Sequence, residues 1–365
     1  MKAARSFIPD LMPPKLDYAS FFSELGMARG KLGEFNGALR SLKNPQLISA
    51  PLITKEAVFS SQIEGTQATL EDVYRIEALG GETQDTELEM DVREISNYRV
   101  AVQEAVSKLA KLPISTRLIQ SLHVTLLDSV RGANRDRGSF RKIQVFIGPK
   151  GATIEKATFV PPPANEIPDL MGNWEKYVNG EQEVDPLIVA GVAHYQFEAI
   201  HPFLDGNGRI GRILIPLILY DRKILRYPSF FISQYFEEHR QEYYRSLNSV
   251  SSKGDFTQWL KFFLNGIAQT SSRAIDMVER IHDLYDELMP ISLKASIQQG
   301  KTILDVLFDS PLISFKKIKA LLPELNSQTV YNVLSRLEDE GVLTEITGFK
   351  RNRVYRLDRL IEIVS

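Results

Sequence analysis

The twelve residues from His201 to Arg212, HPFLDGNGRIGR, bring together a base, an acid, two arginines and three glycines. Gly206 and Gly208 flank Asn207 at a helix start, where backbone N–H groups lack intrahelical acceptors and the dipole end is positive. Without Cβ atoms the chain there can approach an anion closely. Arg209 and Arg212 are three apart, so on a helix they share a face and reach the same polyanion. Their guanidinium forks suit phosphate oxygens. Asp205 beside phosphates would repel them unless it holds an intervening Mg²⁺. His201 stands just ahead, placed to take a proton from an incoming hydroxyl. Together these residues describe a site for a nucleoside triphosphate with its metal.

The same stretch resembles the signature of the Fic (filamentation induced by cyclic AMP) domain family, H-x-F-x-[DE]-G-N-G-R-x-x-R, at every fixed position. The resemblance extends over most of the chain ahead of its C-terminal segment. It implies a protein adenylyltransferase, a nucleotidyltransferase that moves AMP from ATP to a hydroxyl of a protein target or of itself. His201 would then be the catalytic base and Asp205 the Mg²⁺ ligand. The backbone of Gly206 and Gly208, with Asn207, would hold the α- and β-phosphates, Arg209 the β-phosphate and Arg212 the γ-phosphate. Gly211 completes the nucleotide-binding set, and Phe203 would be a buried anchor. A glycine at 208, where the phosphorylating branch commonly has lysine, favours AMP transfer.

A second stretch, Glu56 to Thr69, contains Ser60-x-x-x-Glu64-Gly65. By type alone Glu64 is a surface acid, but the spacing is similar to the family's [ST]-x-x-x-E-[GN] inhibitory motif. The resemblance implies that Ser60, Glu64 and Gly65 are regulatory. If Glu64 pairs with Arg212, the arginine is denied to the γ-phosphate and ATP settles misaligned, and small misplacements are costly in rate. Some relatives use this glutamate to remove AMP, so the reverse activity stays open, as does transfer of another phosphate-linked group.

These groups must be positioned by helices. Asp185-Pro186 makes an N-cap and first-turn pair that opens a helix through about Ile200 and delivers His201. Helices are also expected over Phe21–Leu42, Pro51–Ile63, Thr69–Leu79, Leu88–Ala110, Ser115–Leu127, Asn207–Tyr220, Tyr235–Leu247 and Asp255–Leu288, the last as one or two. The proline-bearing residues 1 to 17 read as an extended arm. The first β pattern is RKIQVFIG, Arg141 to Gly148, which with FVPPP reads as a hairpin ended by prolines. Fic proteins carry a flap over the nucleotide at this place, and Val145, Phe146 and Ile147 would be its target-docking edge, pairing backbone with an extended segment. Tyr235, Tyr243 and Tyr244 share one helical region, where the family uses aromatics to line the adenine pocket; Tyr235 and Tyr243 are the leading candidates. The other histidines, His123, His194, His239 and His282, have no metal-ligand spacing and read as structural or exposed.

From residue 301 the pattern becomes helix Thr302–Phe308, helix Phe315–Leu321, helix Ser327–Gly341 and two strands, VLTEIT and RVYRLD. That order is a winged helix-turn-helix. Gln328, Thr329, Asn332, Ser335 and Arg336 would face a ligand, with Lys350, Arg351, Arg353 and Arg356 on the wing. Ten Lys and Arg against nine Asp and Glu in residues 301–365 make a weak footprint for DNA, so DNA and protein partners both stay open. The fold expected is mostly α: a Fic-type helical bundle with a small β-hairpin flap plus a winged helix-turn-helix domain. Its segments are 1–110 with the inhibitory helix, 111–290 as catalytic core, and 291–365.

Composition sets the outer limits. The chain has 365 residues, 43% hydrophobic and 25% charged, with a formal net charge of −2. Such a balance argues against global electrostatic binding to nucleic acid or membrane. It contains no cysteine, which removes disulfides, thiolate nucleophiles and Cys-based zinc sites. No signal peptide or membrane span is read, so a cytoplasmic protein is expected, with homodimerisation open. The alternative class is a winged-helix regulator that uses its Fic-like domain as a nucleotide sensor.

Overall fold

The structure is a computed structural model and describes residues 6–41, 46–80, 85–132, 135–149, 151–181, 184–228, 230–348 and 353–365. In chain order the helices of the first part are α1 Phe22–Ser41, α2 Gln46–Ile63, α3 Leu70–Leu79, α4 Thr86–Leu109 and α5 Thr116–Leu126. They continue with α6 Ile167–Asn179, α7 Pro186–Ile200, α8 Asn207–Asp221, α9 Ile232–Glu238, α10 Arg240–Lys253 and α11 Thr257–Ala295. The remainder runs α12 Gly300–Asp309, β1 Leu312–Ser314, α13 Phe315–Leu321, α14 Ser327–Asp339, β2 Thr344–Glu345, β3 Val354–Arg356 and α15 Asp358–Val364. The fold is therefore mostly helical, as expected. No described helix is long and apolar enough to cross a membrane.

Contacts group the chain into two units, each discontinuous in sequence. The first comprises Met1–Gly33, Ser96–Pro228 and Ile232–Ser271. Its centre is α7, apolar around nearly its whole circumference and buried from Leu187 to Phe197 and again at Ala199 and Ile200, as a core helix should be. Asp185 caps it by accepting the Leu187 N–H at 2.8 Å, and Pro186 occupies the first turn, which needs no N–H there. Helices α6 and α8 pack on α7. Both tryptophan indoles donate to its carbonyls, Trp174 to Ala193 at 2.9 Å and Trp259 to Gly191 at 2.8 Å. A Cβ on Gly191 would lie 2.9 Å from the Phe263 ring, so glycine sets that close approach. The arm crosses this core in extended form. Met12 exchanges two backbone bonds with the Asn173 amide, and Gln196 donates to the Asp10 carbonyl.

The second unit comprises Glu34–Ile95, Ser229–Phe231 and Ser272–Ser365. Its antiparallel sheet has the order β1-β3-β2, with Leu312 opposite Arg356 and Ser314 opposite Val354. The buried centre joins Tyr74 and Ala78 of α3 to Leu312 of β1 and Val354 of β3. Helix α2 packs against both α12 and α15. Lys55 of α2, 5% exposed, donates to the Val364 and Ser365 carbonyls at 3.0 Å, while Phe59 and Phe231 flank its ammonium. A cation at a helix C-terminus is favoured by the dipole.

Several expectations change. Helix α2 starts at Gln46, with Pro51 inside it; one missing N–H near the helix start is tolerated where the flanking turns bury apolar side chains. The expected Tyr235–Leu247 helix breaks at His239 into α9 and α10. Residues 257–295 form one helix, the first of the two alternatives expected there, and it runs on past Leu288. Helices α6 and α15 and strand β1 were not anticipated. The hairpin reduces to a single bridge, Ile147 with Phe159, because prolines and a long loop leave no ladder to extend. Of the wing residues, Lys350 and Arg351 lie outside the described residues.

Candidate active site

Helix α7 ends at Ile200, and His201 follows in the left-handed region, φ 50° and ψ 62°, its N–H still bonded to the Phe197 carbonyl at 3.0 Å. That turn throws the chain back across the helix end. Phe203 is fully buried, as expected of the anchor. Asn207 closes the loop: its Oδ1 accepts the Phe203 N–H at 2.8 Å and its Nδ2 donates to the Phe203 carbonyl at 2.9 Å. The Asn207 side chain is thereby occupied, which leaves its backbone as the part available to a ligand. Gly206, at φ 74°, is the N-cap of α8. The amides of the first turn, Asn207 to Arg209, have no acceptor within the helix and make an anion site.

Asp205 accepts the Gly206 N–H at 2.7 Å and lies 3.5 Å from Arg209 and 3.6 Å from Arg135. Gly132 packs against it so closely that a Cβ would come 2.7 Å from Oδ2. From beneath, His123 stacks on Phe203 with centroids 3.9 Å apart. Its Nδ1 accepts the Gly138 N–H at 2.9 Å, which puts the proton on Nε2, donated to the Asp205 carbonyl at 3.0 Å. Burial pushes this imidazole down to about 4, so it is a neutral strut. Residue type alone hides this role, which depends on a loop amide from Gly138.

Arg209 and Arg212 are buried, 4% and 1% exposed, on the α8 face expected to meet phosphates. Gly211 has a different task. A Cβ there would run into the Glu198 carboxylate and lie 3.3 Å from the Phe197 ring, so the bare position makes room for the Glu198 side chain between α8 and α7. The Gly211 carbonyl takes the Nδ1 proton of His194 at 3.0 Å, leaving His194 Nε2 to accept from Tyr243 at 2.8 Å. Complete burial pushes His194 down to about 3.

A cavity of about 330 Å³ opens beside the end of α7, lined chiefly by Ile147, Phe159, Tyr195, Glu198, Tyr244 and Asn248. The flap residues Phe146 and Ile147 are exposed and Val145 half-buried. Tyr235 and Tyr243, 5% and 1% exposed, sit instead in an aromatic cluster with Phe236, Trp259 and Phe262. Neither lines the cavity; Tyr244, one residue on, does. Helical phase decides this, since adjacent residues point about 100° apart.

In the second unit, Ser60 is buried near the end of α2 and Glu64 stands exposed on the turn that follows. Gly65 at φ 105° completes that turn. Gln67 N–H donates to buried Asp91 at 2.8 Å, and the Thr66 N–H returns to the Ser61 carbonyl. The backbone around Glu64 is thus fixed while its carboxylate stays outside the core.

Among the described residues no cluster of three or more His, Cys, Asp or Glu can hold a metal ion. Asp205 offers a single carboxylate. Mg²⁺ commonly takes one or two carboxylates and completes its shell with water and phosphate oxygens. The donor set therefore fits a metal arriving with a nucleotide.

The Fic/DOC family N-terminal model matches residues 22–107 and the Fic/DOC family model residues 113–219. The chain is 28% identical over 265 residues to the protein adenylyltransferase Fic of Drosophila grimshawi, covering 68% of this chain and 46% of that protein. With the Drosophila melanogaster protein of the same name it is 26% identical, covering 76% and 51%. It spans about half the length of these curated relatives. A crystal structure of a Fic family protein from Desulfovibrio desulfuricans G20 superposes with a TM-score of 0.62 at 21% identity, over 95% of this chain and 98% of that one. Fic-1 (residues 134–508) from C. elegans gives 0.53 at 21% identity, over 72% and 73%.

Proposed function

Because this chain belongs to the Fic/DOC family, we propose that it is an adenylyltransferase, moving AMP from ATP to a hydroxyl of a target protein or of itself. The observation that carries this reading is the loop from His201 to Asn207: an imidazole on a strained turn, directly ahead of a helix start that presents bare amides. The substrate hydroxyl oxygen bonds to the α-phosphorus, the α–β anhydride bond breaks, and pyrophosphate leaves. His201 takes the hydroxyl proton. The first-turn amides of α8 hold the α- and β-phosphates, Arg209 the β-phosphate and Arg212 the γ-phosphate. Asp205 would hold a Mg²⁺ arriving with the nucleotide, which would supply charge neutralisation. Catalysis here is positioning and electrostatic stabilisation.

The base would enter the cavity between the flap and Tyr244, whose apolar wall suits a purine. Tyr243 backs Tyr244 from the core, and Tyr235 lies deeper in the same aromatic cluster, on Phe262. Val145 to Ile147 offer an exposed edge for an extended target segment. Glu64 regulates by competing with the γ-phosphate for Arg212, a reading supported by the Ser60–Gly65 motif and by the exposed, rigidly based turn that carries Glu64. Segment 291–365 forms the winged helix-turn-helix module of this reading. Its arginines Arg336, Arg353 and Arg356 pair with Glu340, Glu338 and Asp358, which supports a protein-facing role over phosphate contact.

The full chain incubated with Mg²⁺ and ATP labelled at the α-phosphate should yield a covalently labelled protein, and none with γ-labelled ATP. Glu64→Gly should raise that labelling at least tenfold. Absence of adduct from both chains, alone and with a cell lysate, would sink the reading. Labelling from a different donor only would replace AMP with another phosphate-linked group.

A further inference from the structure

Arg141 is 2% exposed and every one of its bonds ends on a backbone carbonyl. Nε donates to His201 at 2.9 Å; Nη1 donates to Ile143 at 3.0 Å; Nη2 donates to Pro162 at 2.6 Å and to Ile200 at 3.4 Å. Its own N–H donates to the Pro202 carbonyl at 2.9 Å. The acceptors belong to three segments: the turn that carries His201, the outgoing side of the flap and its returning side. Among the described residues Arg141 pairs with no carboxylate. What offsets the buried charge is the C-terminal end of α7, where the Ile200 and His201 carbonyls carry the negative end of the helix dipole. Burial pushes the guanidinium down to about 10, still protonated at neutral pH.

We infer that Arg141 is a positioning residue that locks the flap to the His201 turn, so that the target-docking edge and the base keep one fixed geometry. The inference rests on the function proposed above. A planar fork with five donors can reach several carbonyls in different directions at once, whereas a lysine ammonium acts as a point charge with three. His201 sits in the left-handed region, which non-glycine residues adopt only when their surroundings hold them there. Arg141 grips the carbonyls of Ile200 and His201 and, through its N–H, that of Pro202. The flap itself has one bridge and no ladder, so it depends on outside attachment. A displacement near 1 Å between base and hydroxyl costs about a hundredfold in rate.

The test compares the full chain with Arg141→Lys and Arg141→Met, using amide hydrogen exchange and steady-state adenylylation. In Arg141→Lys the flap amides of Ile147 and Thr158 and the turn amides of His201 and Phe203 should exchange at least tenfold faster, all together. The α8 amides of Ile213 to Ile215 and Leu217 to Leu219, on either side of Pro216, should stay unchanged. The kcat should fall tenfold or more while KM for ATP changes less than threefold. Acceleration of flap amides alone, or equal acceleration throughout α8, would overturn the inference, as would wild-type kcat in a folded Arg141→Lys. Should both variants fail to fold, the unmodified chain still decides. Its flap and turn amides should share one opening equilibrium across a denaturant series, and independent openings would refute the coupling. If no chain forms an AMP adduct, the proposed function falls, and the exchange data alone judge Arg141.

Discussion

His194 and His201 stand seven residues apart on the same stretch of chain and are put to opposite uses. His194 is sealed in the core, its two nitrogens spent on Gly211 and Tyr243; His201 closes the helix at the mouth of the site. For His194 the linkage sign is clear. The unfolded chain takes up its proton near pH 6.5 and the folded chain only near 3, so stability is full above pH 6.5 and is lost as pH falls below it. The loss is about 2 kcal/mol by pH 5. Urea unfolding at pH 7.5 and pH 5 should show this slope added to a similar one from His123, held down to about 4 by burial, and His194→Asn should remove about half of the total, since the amide nitrogen can still serve Gly211. An unchanged slope would place the titration elsewhere. His201→Ala should abolish AMP transfer, a loss of about a hundredfold or more, while calorimetric ATP binding persists. Retained transfer would remove His201 as the base. The candidate loop is legible in the sequence because its residues lie within one short stretch. Arg141 is not: its partners are all backbone carbonyls, which a sequence does not distinguish.

At the scale of elements, α8 meets α7 beside Gly211, whose missing side chain leaves room for the Glu198 carboxylate. Gly211→Ala would drive a methyl into the Glu198 carboxylate and to 3.3 Å from the Phe197 ring, displacing the Glu198 side chain at a cost of up to about 1–3 kcal/mol as overpacking. Thermal unfolding should register the loss, and Gly211→Ala with Glu198→Ala should recover part of it. If the double variant is no better than the single, the contact is not the cause. The start and end of α7 were readable from Asp185-Pro186 and from the motif itself, since caps are local signals. Local signals also misled. RKIQVFIG has a strand pattern, but its partner segment supplies one bridge, and Arg141 rather than a ladder holds it. The Tyr235–Leu247 run has the pattern of one helix, yet it breaks at His239, and within α10 helical phase sets Tyr243 in the core and Tyr244 at the surface. Helix α6 escaped notice because it follows Pro161 to Pro163, which read as an ending rather than as the approach to a new helix.

At the scale of the molecule, the C-terminal segment and the helices at 46–79 share one interior. Tyr74 and Ala78 pack with Leu312 and Val354, and Lys55 holds the carbonyls at the end of α15. Removing residues 296–365 should therefore expose α2 and α3, giving proteolytic cleavage within 46–79 while α7 and α8 stay protected. Cleavage no faster than in the full chain would contradict this. Sequence reading separates these segments because they lie far apart along the chain and nothing local announces that they meet. The arrangement also has a consequence in time. A ribosome adding about 5–20 residues per second delivers α2 and α3 early and their core partners last, tens of seconds later. The HPFLDGNGRIGR turn emerges within that interval. For a short period after synthesis of the turn, each newborn chain carries the proposed catalytic loop while α2, which leads into the Glu64 turn, still awaits the residues that hold it.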